Sequence, residues 1–149
     1  MTSRQAISTS RAPDAIGAYS QAVVAGNTLY ISGQIPLDPE TMEVVEGDME
    51  TQIRRVFDNL SAVADAAGAS LDDAVKLTVF LTDLTEFPTV NQVMAEYFDE
   101  PYPARAAIGV VALPKGVPVE VEAIVYLPAY DSTSNGFIGR KLGLSHAAG

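Results

Sequence analysis

The stretch METQIRRVFDNLSAVADAAGASLDDAVKLTVFLT, residues 49–82, changes hydrophobic period partway along and so decides the fold class. From 49 to 67 the apolar residues, among them Ile53, Val56, Phe57, Leu60 and Val63, recur at intervals of three and four, the stripe of an amphipathic helix. Asp48 can accept from the first free N–H groups of that helix, and Gly68 stands where a C-terminal cap belongs. Ser70 and Asp73 have the spacing of a capping box, which opens one short turn. At Val75 the period becomes two: Val75, Leu77, Val79 and Leu81 alternate with Lys76, Thr78, Phe80 and Thr82. That is the pattern of a half-buried strand. A helix followed at once by a strand excludes an all-α or all-β chain.

Working outward, residues 3–8 read as a short edge strand, and 11–17 (RAPDAIG) as a loop rich in breakers. Residues 19–25 and 29–34 are two more strands, with Gly26-Asn27 between them as a hairpin turn. Pro36, Pro39 and the acidic run to Asp48 make a surface loop. Beyond the opening stretch, Pro88 suits a first helical position, and Val90, Val93, Met94, Tyr97 and Phe98 supply the buried stripe. Pro101 and Pro103 end that helix. Residues 104–112 and 117–127 are β-branched runs joined by a turn at 113–116. The order is β-β-β-α-β-α-β-β. It predicts an α+β fold, a mixed β-sheet with two helices packed on one face. Residues 1–128 form a single predicted domain. Residues 129–149, which begin with a linker-like run, are set apart as a C-terminal tail outside it.

Composition narrows the function. The chain has 149 residues, with nine Lys and Arg against nineteen Asp and Glu, a net charge of −10. Such a balance opposes nucleic acid, which is bound by neutralising phosphates, and anionic membrane surfaces for the same reason. With no cysteine there is no disulfide framework, thiolate nucleophile or Cys-type zinc site. The N-terminal stretch lacks the apolar core of a signal peptide, and no run is long enough to span a bilayer. The expectation is a soluble, cytoplasmic protein.

Two places could carry chemistry. Arg105 lies inside a predicted strand, flanked by Ala104, Ala106 and Ala107 and sharing a face with Ala107 and Gly109. A guanidinium beside small neighbours is a bidentate dock for a carboxylate, although an edge-strand arginine pairing with a surface acid has the same pattern. Glu120 and Glu122 share a face two residues apart, either as solvated charges or with one of them orienting a water near Arg105. The sole histidine, His146, lies in the tail and offers little basis for a triad or a metal cluster. The acids Glu43, Glu46, Asp48 and Glu50 lack the spacing of a calcium loop.

Several segments in register carry a resemblance. They are Gly17-Ala-Tyr19-Ser-Gln21, Ile31-Ser-Gly-Gln-Ile-Pro36, Val75-Lys-Leu-Thr-Val-Phe80, Val90-Asn91, Pro103-Ala-Arg105, Leu113-Pro-Lys and Val119-Glu-Val-Glu-Ala-Ile124. Together, over residues 4–128, the chain resembles the RidA (YjgF-type) reactive-intermediate deaminases. The resemblance implies a chorismate-mutase-like fold and a homotrimer with active sites in the clefts between subunits. It implies hydrolysis of enamine and imine intermediates, of the 2-aminoacrylate and 2-iminobutyrate type, to a 2-keto acid and ammonia. No cofactor and no metal are implied. Arg105 falls on the family's carboxylate-binding arginine and Glu120 on its water-positioning acid, the two catalytic residues. Tyr19, Ser32, Gly33 and Asn91 fall on substrate-binding positions, together with the Ala107 backbone.

The chain departs from the family at Ala107, where many members have Cys or Ser, and at Gly109, where a side chain is usual. The second departure predicts a wider cleft. The leftover sheet face, expected to carry Val119, Val121 or their counterparts, gives a separate motive for a trimer. Two readings from other classes compete: a non-catalytic binder of small carboxylates or of protein partners, and an isomerase on the same fold. Retention of both Arg105 and Glu120 favours the deaminase.

Overall fold

The computed structural model describes residues 3–127. Six strands, β1 (Arg4–Ile7), β2 (Ala22–Ala25), β3 (Thr28–Gln34), β4 (Ala74–Leu81), β5 (Ala104–Gly109) and β6 (Val119–Tyr126), join in one sheet. Two helices, α1 (Met49–Ala66) and α2 (Phe87–Tyr97), complete the order read from the sequence. In space the strands run β1-β2-β3-β6-β4-β5. Among the described strands only β4 and β5 pair in parallel. A parallel pair needs a crossover, and α2 supplies it. The last strand in sequence is inserted between β3 and β4, so β6 lies at the centre and β5 forms one edge.

Local chemistry explains each boundary. Gly26 adopts φ +62° and turns β2 into β3, with Ala25 opposite Thr28. Asp48 Oδ1 accepts from the Thr51 amide at 2.9 Å, and Gly68 takes φ +81° just after α1. Ser70 and Asp73 form the reciprocal capping box over the 3₁₀ turn Leu71–Asp73.

Ile53, Val56, Phe57, Leu60 and Val63 of α1 are wholly buried against the sheet. Each such side chain contributes about 1.5–3 kcal/mol of burial free energy. Val90, Val93 and Met94 of α2 enter the same core. The Phe57 ring lies 5.2 Å from Tyr97 and 5.8 Å from Phe98, centroid to centroid, which ties the two helices together.

The structure corrects four details. Val75 is exposed, because the β4–β6 register shifts between Ala74 and Lys76 and rotates it off the core face. The strand expected over 104–112 stops at Gly109, and Val111 stands fully exposed beyond it. The strand expected from residue 19 begins at Ala22, which leaves Tyr19 in the preceding loop. Val119 and Val121 are fully buried beneath the helices; Tyr30, Ile124 and Tyr126 alternate with the buried residues and lie on the uncovered face. Among the described residues no helix is long and apolar enough to cross a membrane. The tail set apart at 129–149 lies outside the described residues.

Candidate functional site

Strand alternation determines where each candidate side chain points. On β6, Val119, Val121, Ala123 and Val125 are buried under the helices, so Glu120 and Glu122 project from the opposite face. On β5, Arg105 is paired with Leu77 of β4, which is fully buried in the core. Paired residues share a face, so Arg105, Ala107 and Gly109 lie on the helix-covered side. Glu120 pairs with Phe80, three residues farther along β4. Arg105 and Glu120 are thus about 10 Å apart along the strands and two strand spacings, roughly another 10 Å, across the sheet. They also lie on opposite faces. Within one chain these two groups cannot touch one small molecule.

The Arg105 half is built by α2. Nη1 of Arg105 donates to Asn91 Oδ1 at 2.7 Å and approaches the Met94 sulfur at 3.5 Å. The guanidinium carbon lies 4.5 Å from the centroid of the Phe87 ring. Nε and Nη2 make no hydrogen bond among the described residues, and no carboxylate there pairs with this arginine. In front lies a cleft of about 400 Å³ lined by Asn91, Met94, Ala95, Tyr102, Pro103 and Arg105. Ala107, one step along the same face, is exposed. The widening expected at Gly109 is absent, because the Leu84 side chain occupies the vacant position. A Cβ built there would lie 3.2 Å from Leu84 Cδ1.

The Glu120 half is a separate cavity of about 580 Å³, whose lining includes Tyr19, Ser32, Gly33, Lys115, Glu120 and Glu122. The Glu120 carboxylate lies directly over Gly33. A Cβ there would come within 2.9 Å of Glu120 Cδ and collide with Oε2, so any side chain at this position would displace the carboxylate. Ser32 donates its hydroxyl to the Ser20 carbonyl at 2.6 Å, and its amide bonds the Gln21 carbonyl at 3.0 Å. Ser32 therefore anchors the loop that carries Tyr19. Glu120 is half-buried, and its pKa is raised, first by desolvation and then by repulsion from Glu122. The rise is in the direction that suits a base working near neutrality. Among the described residues no three or more His, Cys, Asp or Glu side chains converge as metal ligands do.

Supporting residues without a sequence signal frame both halves. Gln21 is buried and donates to the carbonyls of Thr9, Ala12 and Pro13, which pins the first loop against β2. Asn59, also buried, donates to the Leu37 carbonyl at 3.0 Å and holds the loop that borders the larger cavity. Met94 reads in the sequence only as part of the buried helical stripe, and Phe87, just before Pro88, carries no signal there. A polar residue on a buried helical stripe, such as Asn59, was the one available clue.

Comparison with known proteins now fixes the lineage. The family model described as Endoribonuclease L-PSP matches residues 9–127. A RutC family protein of Pyrococcus horikoshii is 52% identical over 123 residues, 83% of this chain and 98% of that one. A human protein named 2-iminobutanoate/2-iminopropanoate deaminase is 46% identical, covering 81% of this chain and 88% of its own. Among solved structures, RidA from an Antarctic Psychrobacter is 56% identical at a TM-score of 0.79, covering 82% of this chain and 98% of that chain. E. coli TdcF with bound serine is 42% identical at 0.75, covering 82% of this chain and 98% of its own. The fold, the family model and these relatives agree: the chain belongs to the Ribonuc_L-PSP (RidA/YjgF) family.

Proposed function

We propose that this protein is a hydrolytic deaminase of small 2-imino and 2-enamino acids, with each active site formed where two subunits of a homotrimer meet. The observation that carries this is the Nε–Nη2 edge of Arg105, which has no partner among the described residues on an otherwise restrained guanidinium. Such an edge matches the two oxygens of a carboxylate. Relatives at 45% and 46% identity bear the name 2-iminobutanoate/2-iminopropanoate deaminase, and the ligand named for E. coli TdcF, serine, is itself a small amino acid.

In this mechanism Arg105 anchors the substrate carboxylate and turns a diffusional encounter into a positioned one. A neighbouring subunit brings Glu120, Tyr19 and the Ser32-Gly33 backbone over the imine carbon. Glu120 orients a water and accepts its proton as the water oxygen bonds to that carbon. Glu120 passes that proton to the imine nitrogen to give the carbinolamine. The hydroxyl then loses its proton as the C=O forms, the nitrogen takes up this second proton, and the C–N bond breaks to release ammonia and the 2-keto acid. The imine is already electrophilic, so positioning and proton shuttling through Glu120 suffice without a covalent nucleophile or cofactor. Net charge −10 opposes the nucleic-acid chemistry that the family description suggests.

The test generates 2-aminoacrylate with a dehydratase and follows pyruvate release with and without this protein. Faster release supports the proposal. Unchanged release together with tight binding of 2-oxobutyrate identifies a carboxylate binder instead. Arg105→Lys keeps the charge but loses the fork, so kcat/KM falls about ten- to a hundredfold, as expected for a lost charge-assisted hydrogen bond.

A further inference from the structure

We propose that Phe87 is a positioning residue for Arg105: its ring covers one face of the guanidinium and leaves the in-plane Nε–Nη2 edge free for a carboxylate. The inference rests on the carboxylate-binding role given to Arg105 above.

An arginine on an exposed edge strand has four side-chain rotors, and a ligand that needs its fork must immobilise them. The usual way to hold an arginine is a carboxylate. Arg11 and Arg54 are held so, by Asp65 and by Glu50 with Glu96. Arg105 is treated differently. Its restraints are neutral: the Phe87 ring at 4.5 Å, the Asn91 carbonyl oxygen at 2.7 Å and the Met94 sulfur at 3.5 Å. None of these cancels the positive charge.

All three come from α2 at positions i, i+4 and i+7, one stripe of a single helix. Asn91 takes one N–H at one corner of the plane, which fixes where the fork points but not its tilt. The ring fixes the tilt, since a cation over an aromatic face gains by lying against it. The plane and the corner together leave one edge presented outward. Phe87 is half-buried against the core, so its ring is held from behind and can act as a fixed platform.

The test compares Phe87→Leu, which keeps an apolar side chain but loses the π face, with Phe87→Tyr, which keeps the face. Calorimetry with 2-oxobutyrate and steady-state imine hydrolysis are the readouts. Phe87→Leu weakens binding and raises KM about three- to thirtyfold while kcat stays within about twofold, and Phe87→Tyr restores both. A residue that mattered only for packing would lower thermal stability without this split.

In the wild-type protein the Arg105 δ-methylene protons should show an upfield ring-current shift by NMR, a readout that holds even if Phe87→Leu fails to fold. Binding by Phe87→Leu within twofold of wild type, Phe87→Tyr behaving like Phe87→Leu, or unshifted Arg105 resonances would each overturn the role of Phe87. If Arg105→Lys binds 2-oxobutyrate as wild type does, the carboxylate dock itself is misplaced, a separate and distinguishable failure.

Discussion

The placement of Arg105 and Glu120 on opposite sheet faces makes subunit complementation the sharpest test of a shared site. Take Arg105→Ala and Glu120→Gln as two separately inactive proteins, unfold and refold them together in equal amounts, and measure imine hydrolysis. In the proposed closed ring each cleft would take its arginine from one subunit and its glutamate from the next. With random mixing, a given cleft receives an intact Arg105 half the time and an intact Glu120 half the time. The two are drawn from different chains, so about one quarter of the clefts regain both groups, and activity returns to roughly 25% of wild type per cleft. A chain carrying both substitutions, mixed equally with wild type, yields the same quarter and calibrates the mixing. If both residues of a working site came from one chain, the two single variants would never complement. Activity remaining at the level of the separate variants, with subunit exchange verified by mass, would refute the shared cleft. A monomer at micromolar concentration would refute it more simply.

Other expectations are readily checked. Glu122→Gln removes the like charge that helps raise the Glu120 pKa, so the acid limb of the pH–rate profile should move to lower pH; desolvation, the larger cause, remains, and the shift is partial. Glu120→Gln should raise thermal stability near neutral pH and leave it unchanged well below the ordinary glutamate pKa. The reason is that a raised folded-state pKa means the ionised group destabilises the fold as pH climbs through that value. Differential scanning calorimetry at two pH values reads this directly. Leu60→Ala, at a wholly buried position under the sheet, should cost about 2–5 kcal/mol in denaturant unfolding. Deleting residues 131–149 should leave the melting temperature and imine hydrolysis near wild type, since the family model ends at residue 127.

Periodicity carried most of the fold because each element here has a strong period and chemically marked ends. The stripe from Ile53 to Val63 and the caps at Asp48 and Gly68 left little choice for α1. Where two influences competed, pattern alone misled. Val75 fits the alternation, yet a register shift against β6 turns it outward, and a bulge has no signature in a single strand. Val111 continues a β-branched run, yet the edge strand ends once Leu81 has no further partner to offer. At the site, residue identities came from motif resemblance, whereas their division between two faces came only from pairing. No one-dimensional spacing shows that β6 enters between β3 and β4. In the sequence Gly109 suggests empty space because its own side chain is missing; Leu84, 25 positions earlier, fills that space.

The two halves differ in what they ask of the chain, and the division follows from that. Arg105 needs rigidity without neutralisation, which a helix can give through an aromatic face, an amide oxygen and a sulfur on successive turns. As the proposed base, Glu120 needs partial dehydration without an ion-paired guanidinium, which would pull its pKa down and weaken it as a base. Gly33 achieves this by letting the carboxylate lie against backbone, and Glu122 adds to the effect. Had both groups been placed at ion-pairing distance within one chain, Arg105 would have neutralised Glu120, and neither fork nor base would be available to substrate. Separating them by the thickness of the sheet prevents that pairing. In the proposed trimer, joining two subunits would bring the groups to opposite ends of a small molecule rather than to each other, which is the arrangement the proposed reaction requires.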